Sequence, residues 1–231
     1  HVRIFKYQND TWIQIGNDID GEISGDSSGI GLALSSDGSI IAIGSTGHDS
    51  SKGHVRVFQN QSNSWVQLGS DIDGEAIGDG SGTDVDLSSD GSIIAIGAGS
   101  NDGNGNNSGH VRIFENENNT WVQIGEDIDG ENKNDQSGTA VSLSSDGSIV
   151  AIGAGSNDGN GSTSGHVRVL QNQSNSWVQL GNDIDGENEG DNSGQEGIQL
   201  SGDGKIIAIG AMANDDNGNN SGHARVYRYS S

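Results

Sequence analysis

Four acidic loops carry carboxylates at the same relative positions, 1, 3, 5 and 9. They are Asp18, Asp20, Glu22 and Asp26; Asp71, Asp73, Glu75 and Asp79; Asp127, Asp129, Glu131 and Asp135; and Asp183, Asp185, Glu187 and Asp191. Oxygens on alternate residues, with one more further on, suit calcium, which takes several hard oxygen ligands. Calcium is therefore the expected cofactor of these residues. The alternative reading starts from the same loops: Ile at position 2 anchors each in a core, Gly at position 4 turns it, and the acids are solvated or paired with arginine. The glycine bears on the choice, because an EF-hand loop places its own at position 6.

Further polar groups recur. The run Asn101-Asp102-Gly103-Asn104-Gly105-Asn106, echoed at Asn157 to Ser162 and Asn214 to Asn219, offers alternate side-chain oxygens with little charge and reads as a flexible turn before a metal site. His-x-Arg opens one strand motif five times: His1 and Arg3, His54 and Arg56, His110 and Arg112, His166 and Arg168, His223 and Arg225. Residues two apart share a strand face. The expectation is architectural, with each arginine wedged between units and bidentate to an acid of the preceding loop. Trp12, Trp65, Trp121 and Trp177 read as packing between units rather than as sugar platforms.

No unit holds a constellation of its own, which argues against catalysis. Three departures from the repeat stand out. Asp84 and Asp86 occupy outward strand positions where other units have Gly31 and Ala33, Ala140 and Ser142, or Gly197 and Gln199. The loop Thr46 to Gly53 is shortened, and an extra residue near Gln195 to Gly197 predicts a bulge.

The elements that must position these groups repeat every 53 to 57 residues. One unit predicts strands over His54 to Phe58, Trp65 to Leu68, Thr83 to Leu87 and Ser92 to Ala98, the last the most buried. In Ser89-Asp90-Gly91 the aspartate bonds its own backbone and the glycine takes positive φ, so the last two strands pair antiparallel. Four short antiparallel strands per repeat predict an all-β, β-propeller-type array of four-stranded blades. A solenoid is disfavoured because its coils are shorter. The organisation expected is one repeat domain over 1–231, with a partial unit 1–24 and units near 25–77, 78–133, 134–189 and 190–231. Strand motifs number one more than four closed blades need and three fewer than five need, and the chain opens at His1 inside a motif. It reads as a fragment of a larger ring or array.

Net charge is -23 with 29% hydrophobic residues, 39 glycines, no proline and no cysteine. Disulfides and thiolate chemistry are excluded. No apolar run approaches the ~20 residues of a membrane helix, so no membrane insertion is expected, and a surface this acidic repels a phosphate backbone, so neither is a nucleic-acid partner. Asn-x-Ser/Thr acceptors at Asn9, Asn60, Asn118 and Asn172 fall in one turn of every unit and would place glycans on one rim in a secreted protein of a eukaryote.

The segment SGTAVSLSSDGSIVAIGAGSNDGNGSTSGHVRV, Ser137 to Val169, resembles the FG-GAP repeat, the blade unit of integrin α-chain propellers and of many secreted microbial propellers. The similar features are a small-residue-plus-Gly opening, a Val-x-Leu strand, an Asp-Gly turn, a strand ending Ile-Gly-Ala and a Gly-x-Val-x-Val strand. They cover all four units. The added Trp-Val-Gln-Leu-Gly and Asp-Ile-Asp-Gly-Glu stretches resemble repetitive surface proteins of marine bacteria and algae. The resemblance implies calcium-supported, extracellular, protein- or glycan-binding propellers. One departure matters: the family's calcium turn is D-x-D-x-D-G-x-x-x-D, whereas here it has shrunk to Ser-Ser-Asp-Gly-Ser, so calcium is not placed there.

The expected function is a non-enzymatic binding or structural module at a cell surface or in an extracellular assembly. Its partners would be an extracellular protein or glycan, or neighbouring copies. The alternatives are a glycan-binding lectin, a purely mechanical repeat of a filament, and a fragment of a polysaccharide-active propeller enzyme.

Overall fold

The computed structural model describes residues 1–229. Three complete sheets follow one another along the chain. The first is built from an inner strand Leu32–Leu34, a second strand Ile40–Ser45, a third His54–Gln61 and an outer strand Ser64–Gln67. The next two repeat this order as Val85–Leu87, Ile93–Ala98, His110–Asn116 and Trp121–Gln123, then Ala140–Leu143, Ile149–Ala154, His166–Asn172 and Trp177–Gln179. A three-stranded sheet, Ser193–Leu200, Ile206–Ala211 and His223–Arg228, follows them, and a hairpin of Phe5–Gln8 and Thr11–Gln14 precedes them. Every pairing within these sheets is antiparallel.

The complete sheets hold one strand more than the four-stranded expectation. Ile72–Asp73, Ile128–Asp129 and Ile184–Asp185 each pair with the third strand, His54 opposite Asp73 and Val55 opposite Ile72 in the first case. The physical reason is the length of the third strand. The outer strand covers only its far half, Phe58 opposite Gln67, so the near half has free backbone groups that the returning acidic loop satisfies. The strand count among the described residues is accordingly 20 rather than the count by motif.

The Ile-Ile-Ala-Ile strands are the most buried elements, as their unbroken apolar run requires. Both faces of each interior blade pack on a neighbour. Ile40, Ala42, Val55 and Val57 of the first blade meet Val85, Leu87, Ile94 and Ile96 of the second, and Val111 and Ile113 then meet Val141, Leu143, Val150 and Ile152. Successive inner strands lie side by side, Leu32–Leu34 beside Val85–Leu87 and that strand beside Ala140–Leu143. Contact at these seams is close enough to demand glycine: a Cβ on Gly97 would overlap the carbonyl oxygen of Gly138.

The Ser-Asp-Gly turns do more than reverse the chain. Asp90 Oδ1 accepts from the Ser92 N–H and the Ser88 and Ser92 hydroxyls, and Gly91 adopts φ +72°. The turns also bond to one another across the seams, Ser36 N–H to Ser89 O at 2.9 Å, Ser89 N–H to Ser145 O at 2.8 Å and Ser145 N–H to Gly202 O at 2.9 Å. In the last sheet the register shifts between Ser193 and Ile198, where the extra residue predicted a bulge.

Candidate functional site

The chemistry-bearing side chains gather at the seams. On each third strand the Val-x-Val face packs on the following blade, which leaves His and Arg on the face toward the preceding one. Pairing with the short Ile-Asp strand brings position 1 of the blade's own acidic loop beside the histidine. Position 5 arrives from the preceding loop. His110 is 1% exposed, and its Nδ1 lies 3.8 Å from both Glu75 Oε2 and Asp127 Oδ2. At the next seam His166 Nδ1 lies 3.9 Å from Glu131 Oε2 and from Asp183 Oδ2. These gaps are beyond hydrogen-bond reach. Burial holds the His110 and His166 imidazoles below the usual histidine range, so both are neutral bases at pH 7.

The position-1 carboxylate is aimed by a glutamine that was not singled out in the sequence. Gln67, Gln123 and Gln179 donate to Oδ1 of Asp71, Asp127 and Asp183 at 2.6, 2.7 and 2.7 Å, which leaves Oδ2 facing the imidazole. The signal was legible, since the glutamine stands four residues before the aspartate in each copy, Gln14 and Asp18 included.

Position 9 does different work. Asp26, Asp79, Asp135 and Asp191 are buried and accept the backbone N–H of the residue three places earlier in their own loops, Ile23, Ala76, Asn132 and Asn188. Asn101, Asn157 and Asn214 donate to three of these carboxylates, and the second candidate run thereby becomes a clamp on the acidic loop. For Asp26 burial pushes the carboxyl up, but the Ile23 N–H, His48 and the Glu22 N–H together bring it below its ordinary value.

Position 3 contributes mainly its backbone. The carbonyls of Asp20, Asp73, Asp129 and Asp185 accept a hydrogen bond from Arg56, Arg112, Arg168 and Arg225 at 2.6 to 2.7 Å. This corrects the expected bidentate pairing. The guanidinium reaches across the seam to a peptide carbonyl, Arg56, Arg112 and Arg225 also stack over Phe58, Phe114 and Tyr227 of their own strands, and among the described residues these arginines meet a carboxylate only at Arg56–Glu22 and Arg225–Glu187, 3.6 and 3.5 Å apart. The nearest acceptor for a charged group between packed sheets is the loop backbone, which takes one terminal N–H of each guanidinium and leaves Nε of Arg56, Arg112, Arg168 and Arg225 buried without a partner among the described residues.

The four carboxylates of one loop therefore do not surround one point. Among the described residues, the groups of ligating side chains drawn within 4.8 Å of one another are Glu75, His110 and Asp127; Glu131, His166 and Asp183; Glu187, Asp216 and His223; and Glu22, His48 and His54. Each joins two neighbouring units or adds a residue from another loop. In the last group His48 comes from the shortened loop, a tight turn in which Asp49, Ser50 and Ser51 all take positive φ. Its Nδ1 is 3.1 Å from Asp26 Oδ1, and its ring stacks on His54 at 4.0 Å. His54 is fully buried, with no hydrogen-bond partner at either ring nitrogen.

Two further predictions resolve at the seams. Trp65, Trp121 and Trp177 each donate Nε1–H to a carbonyl of the preceding unit, Ile15, Leu68 and Ile124, at 2.8 to 2.9 Å. Asp84 and Asp86 do not point to solvent as outward positions would. Their Oδ2 atoms accept the Val141 and Leu143 N–H groups of the next inner strand at 2.8 and 2.7 Å, while their Oδ1 atoms accept Val85 and Leu87 N–H. Burial raises Asp84 to about 6 and raises Asp86 as well. At the following seam Ser142 takes the same role, accepting from Leu200 N–H at 3.0 Å.

Solved structures share this arrangement of repeated antiparallel sheets. The chain aligns with a candidate 6-phosphogluconolactonase from Bacteroides uniformis at 16% identity and TM-score 0.60, over 99% of this chain and 60% of that one. Hydrazine synthase of Kuenenia stuttgartiensis aligns at 17% identity and TM-score 0.52, over 81% and 44%, and TolB from Acinetobacter baumannii at 14% and 0.50, over 87% and 43%. The fold is a β-propeller. This propeller chain spans between 43 and 60% of the length of those three structures, and at such identities the likeness carries the fold alone. No protein-family model matches the chain, and no curated protein matches it.

Proposed function

We propose that this propeller is a non-enzymatic module that works outside the cell, at a surface or in an extracellular assembly, as a rigid binding or structural body. The observation that carries the reading is the recurrence of three bonds at successive seams. Tryptophan to carbonyl, arginine to carbonyl, and serine turn to serine turn recur from blade to blade. Grooves beside the seams repeat too, one lined by Asp18, Arg56, Phe58 and Trp65 and another by Asp71, Arg112, Phe114 and Trp121. A catalytic mouth needs distinct residues converging from several blades. The one unusual acid pair, Asp84 and Asp86, is committed to backbone N–H groups. Interchangeable seams fit a body whose task is shape, with partners taken at the rims. Extracellular proteins, glycans or further copies are the partners proposed.

Calcium belongs to this proposal as a supporting ion. The carboxylates the fold brings together for it are position 1 of one loop and position 5 of the preceding loop, such as Asp127 with Glu75, with water completing the shell, since position 9 is occupied by the loop backbone.

Two measurements test the reading. A panel of sugar lactones and polysaccharides is expected to show no turnover; turnover abolished in the D84N/D86N double variant would overturn the non-enzymatic assignment. Thermal unfolding in excess calcium against excess EDTA is expected to shift upward by several degrees, because an ion held only by the fold stabilises it by mass action. Superimposed curves would remove calcium from the proposal.

A further inference from the structure

The two central seams present a donor set that calcium does not explain. Each offers one buried neutral imidazole nitrogen and two carboxylate oxygens: His110 with Glu75 and Asp127, and His166 with Glu131 and Asp183. Both histidines are at least 98% buried, at 1 and 2% exposure, yet Nδ1 faces oxygens at 3.8 to 3.9 Å with no hydrogen bond to either. Ligand atoms about 2.1 Å from a tetrahedral ion stand about 3.4 Å apart, so each histidine-to-carboxylate gap needs to close by about half an ångström, and the two carboxylate oxygens already lie within 4.8 Å of each other. Imidazole selects ions of the zinc class, whereas calcium takes oxygen.

We propose that each of these seams is a site for a divalent transition ion of the zinc class, held by His Nδ1, the position-1 aspartate of the same blade and the position-5 glutamate of the preceding unit. Water fills the fourth place. Two carboxylates and a neutral imidazole cancel the charge of the ion, and the ion ties the two units together. Gln123 and Gln179 supply the outer support typical of such sites, each fixing the aspartate through Oδ1 and leaving Oδ2 for the metal. Glu75, Asp127, Glu131 and Asp183 have side chains 30 to 48% exposed, which gives the ion a path from solvent to the buried nitrogen. The inference deepens the cation part of the proposed function and rests on it only in placing a cation at the seam.

The test is calorimetric titration of the full chain with zinc chloride after EDTA treatment, in excess magnesium to occupy unspecific carboxylate sites. At least two tight equivalents are expected, and cobalt in place of zinc should give the visible bands of a tetrahedral nitrogen and oxygen site. The variant E75Q/E131Q changes only half-exposed side chains and should keep the EDTA melting temperature of the unmodified chain while losing about two equivalents of zinc. H110Q/H166Q should lose the same sites and the cobalt spectrum. Fewer than two equivalents in the unmodified chain, or zinc binding unaltered in E75Q/E131Q, would overturn the proposal. A calcium shift in the melt that persists without zinc binding would remove the imidazole site and leave the calcium reading standing.

Discussion

Asp84 supplies the sharpest quantitative expectation. Its half-buried carboxylate bridges two inner strands, Oδ1 on Val85 N–H at 3.0 Å and Oδ2 on Val141 N–H at 2.8 Å. Burial is the dominant influence and keeps the proton on up to about pH 6, against 3.8 for the free side chain. Between those values the folded chain binds more protons than the unfolded one, so stability falls as pH rises through the window and is level above it. At roughly 1.4 kcal/mol per pH unit, the interval from 3.8 to about 6 corresponds to about 3 kcal/mol. For a chain of this length that is about 6 to 12 °C in melting temperature. Total stability will not show this directly, because many other carboxylates titrate in the same range and the net charge of -23 relaxes on acidification. The difference between the unmodified chain and D84N isolates it, since the amide does not titrate. Melting curves of both proteins at pH 4 and pH 7 are the assay. The unmodified chain should gain on D84N by about 2 to 2.5 kcal/mol between pH 7 and pH 4, most of the full interval, because the unfolded carboxyl is itself part-protonated at pH 4. A gap that stays constant, or that moves the other way, would refute the claim that burial governs this carboxyl.

Two other substitutions probe the seams. W121F keeps most of the packing but removes the Nε1–H donor to the Leu68 carbonyl and should cost about 1 to 2 kcal/mol in chemical denaturation, with W177F matching it because Ile124 accepts in the same way; no loss in either would show that the bond is replaced by water. G97A drives a methyl into the Gly138 carbonyl and should destabilise by about 1 to 3 kcal/mol or more, whereas alanine at Gly78, which has positive φ but open space, should cost only backbone strain; equal unfolding midpoints for G97A and the unmodified chain would mean that the seam yields freely.

The repeat period, the alternating strand and the unbroken Ile-Ile-Ala-Ile run made the four principal strands of a blade legible, because side-chain periodicity and turn chemistry are local properties written within a few residues of one another. The Asp90 turn and the bulge before Ile198 were legible for the same reason. The two-residue strand Ile72–Asp73 was not, since its only cause is the free backbone of a third strand too long for its outer partner. The acidic loops show the limit most clearly. Spacing grouped Asp71, Asp73, Glu75 and Asp79 as one loop's donors, and the fold divides them: Asp71 turns to His54, Asp73 lends its carbonyl to Arg112, Glu75 faces His110 of the next blade, and Asp79 closes its own loop. Which carboxylates meet depends on how one blade is set against the next. That packing joins residues 35 to 57 positions apart, at a distance no local pattern encodes. Sequence determined what each unit is made of; the seams between units decided what those residues can hold.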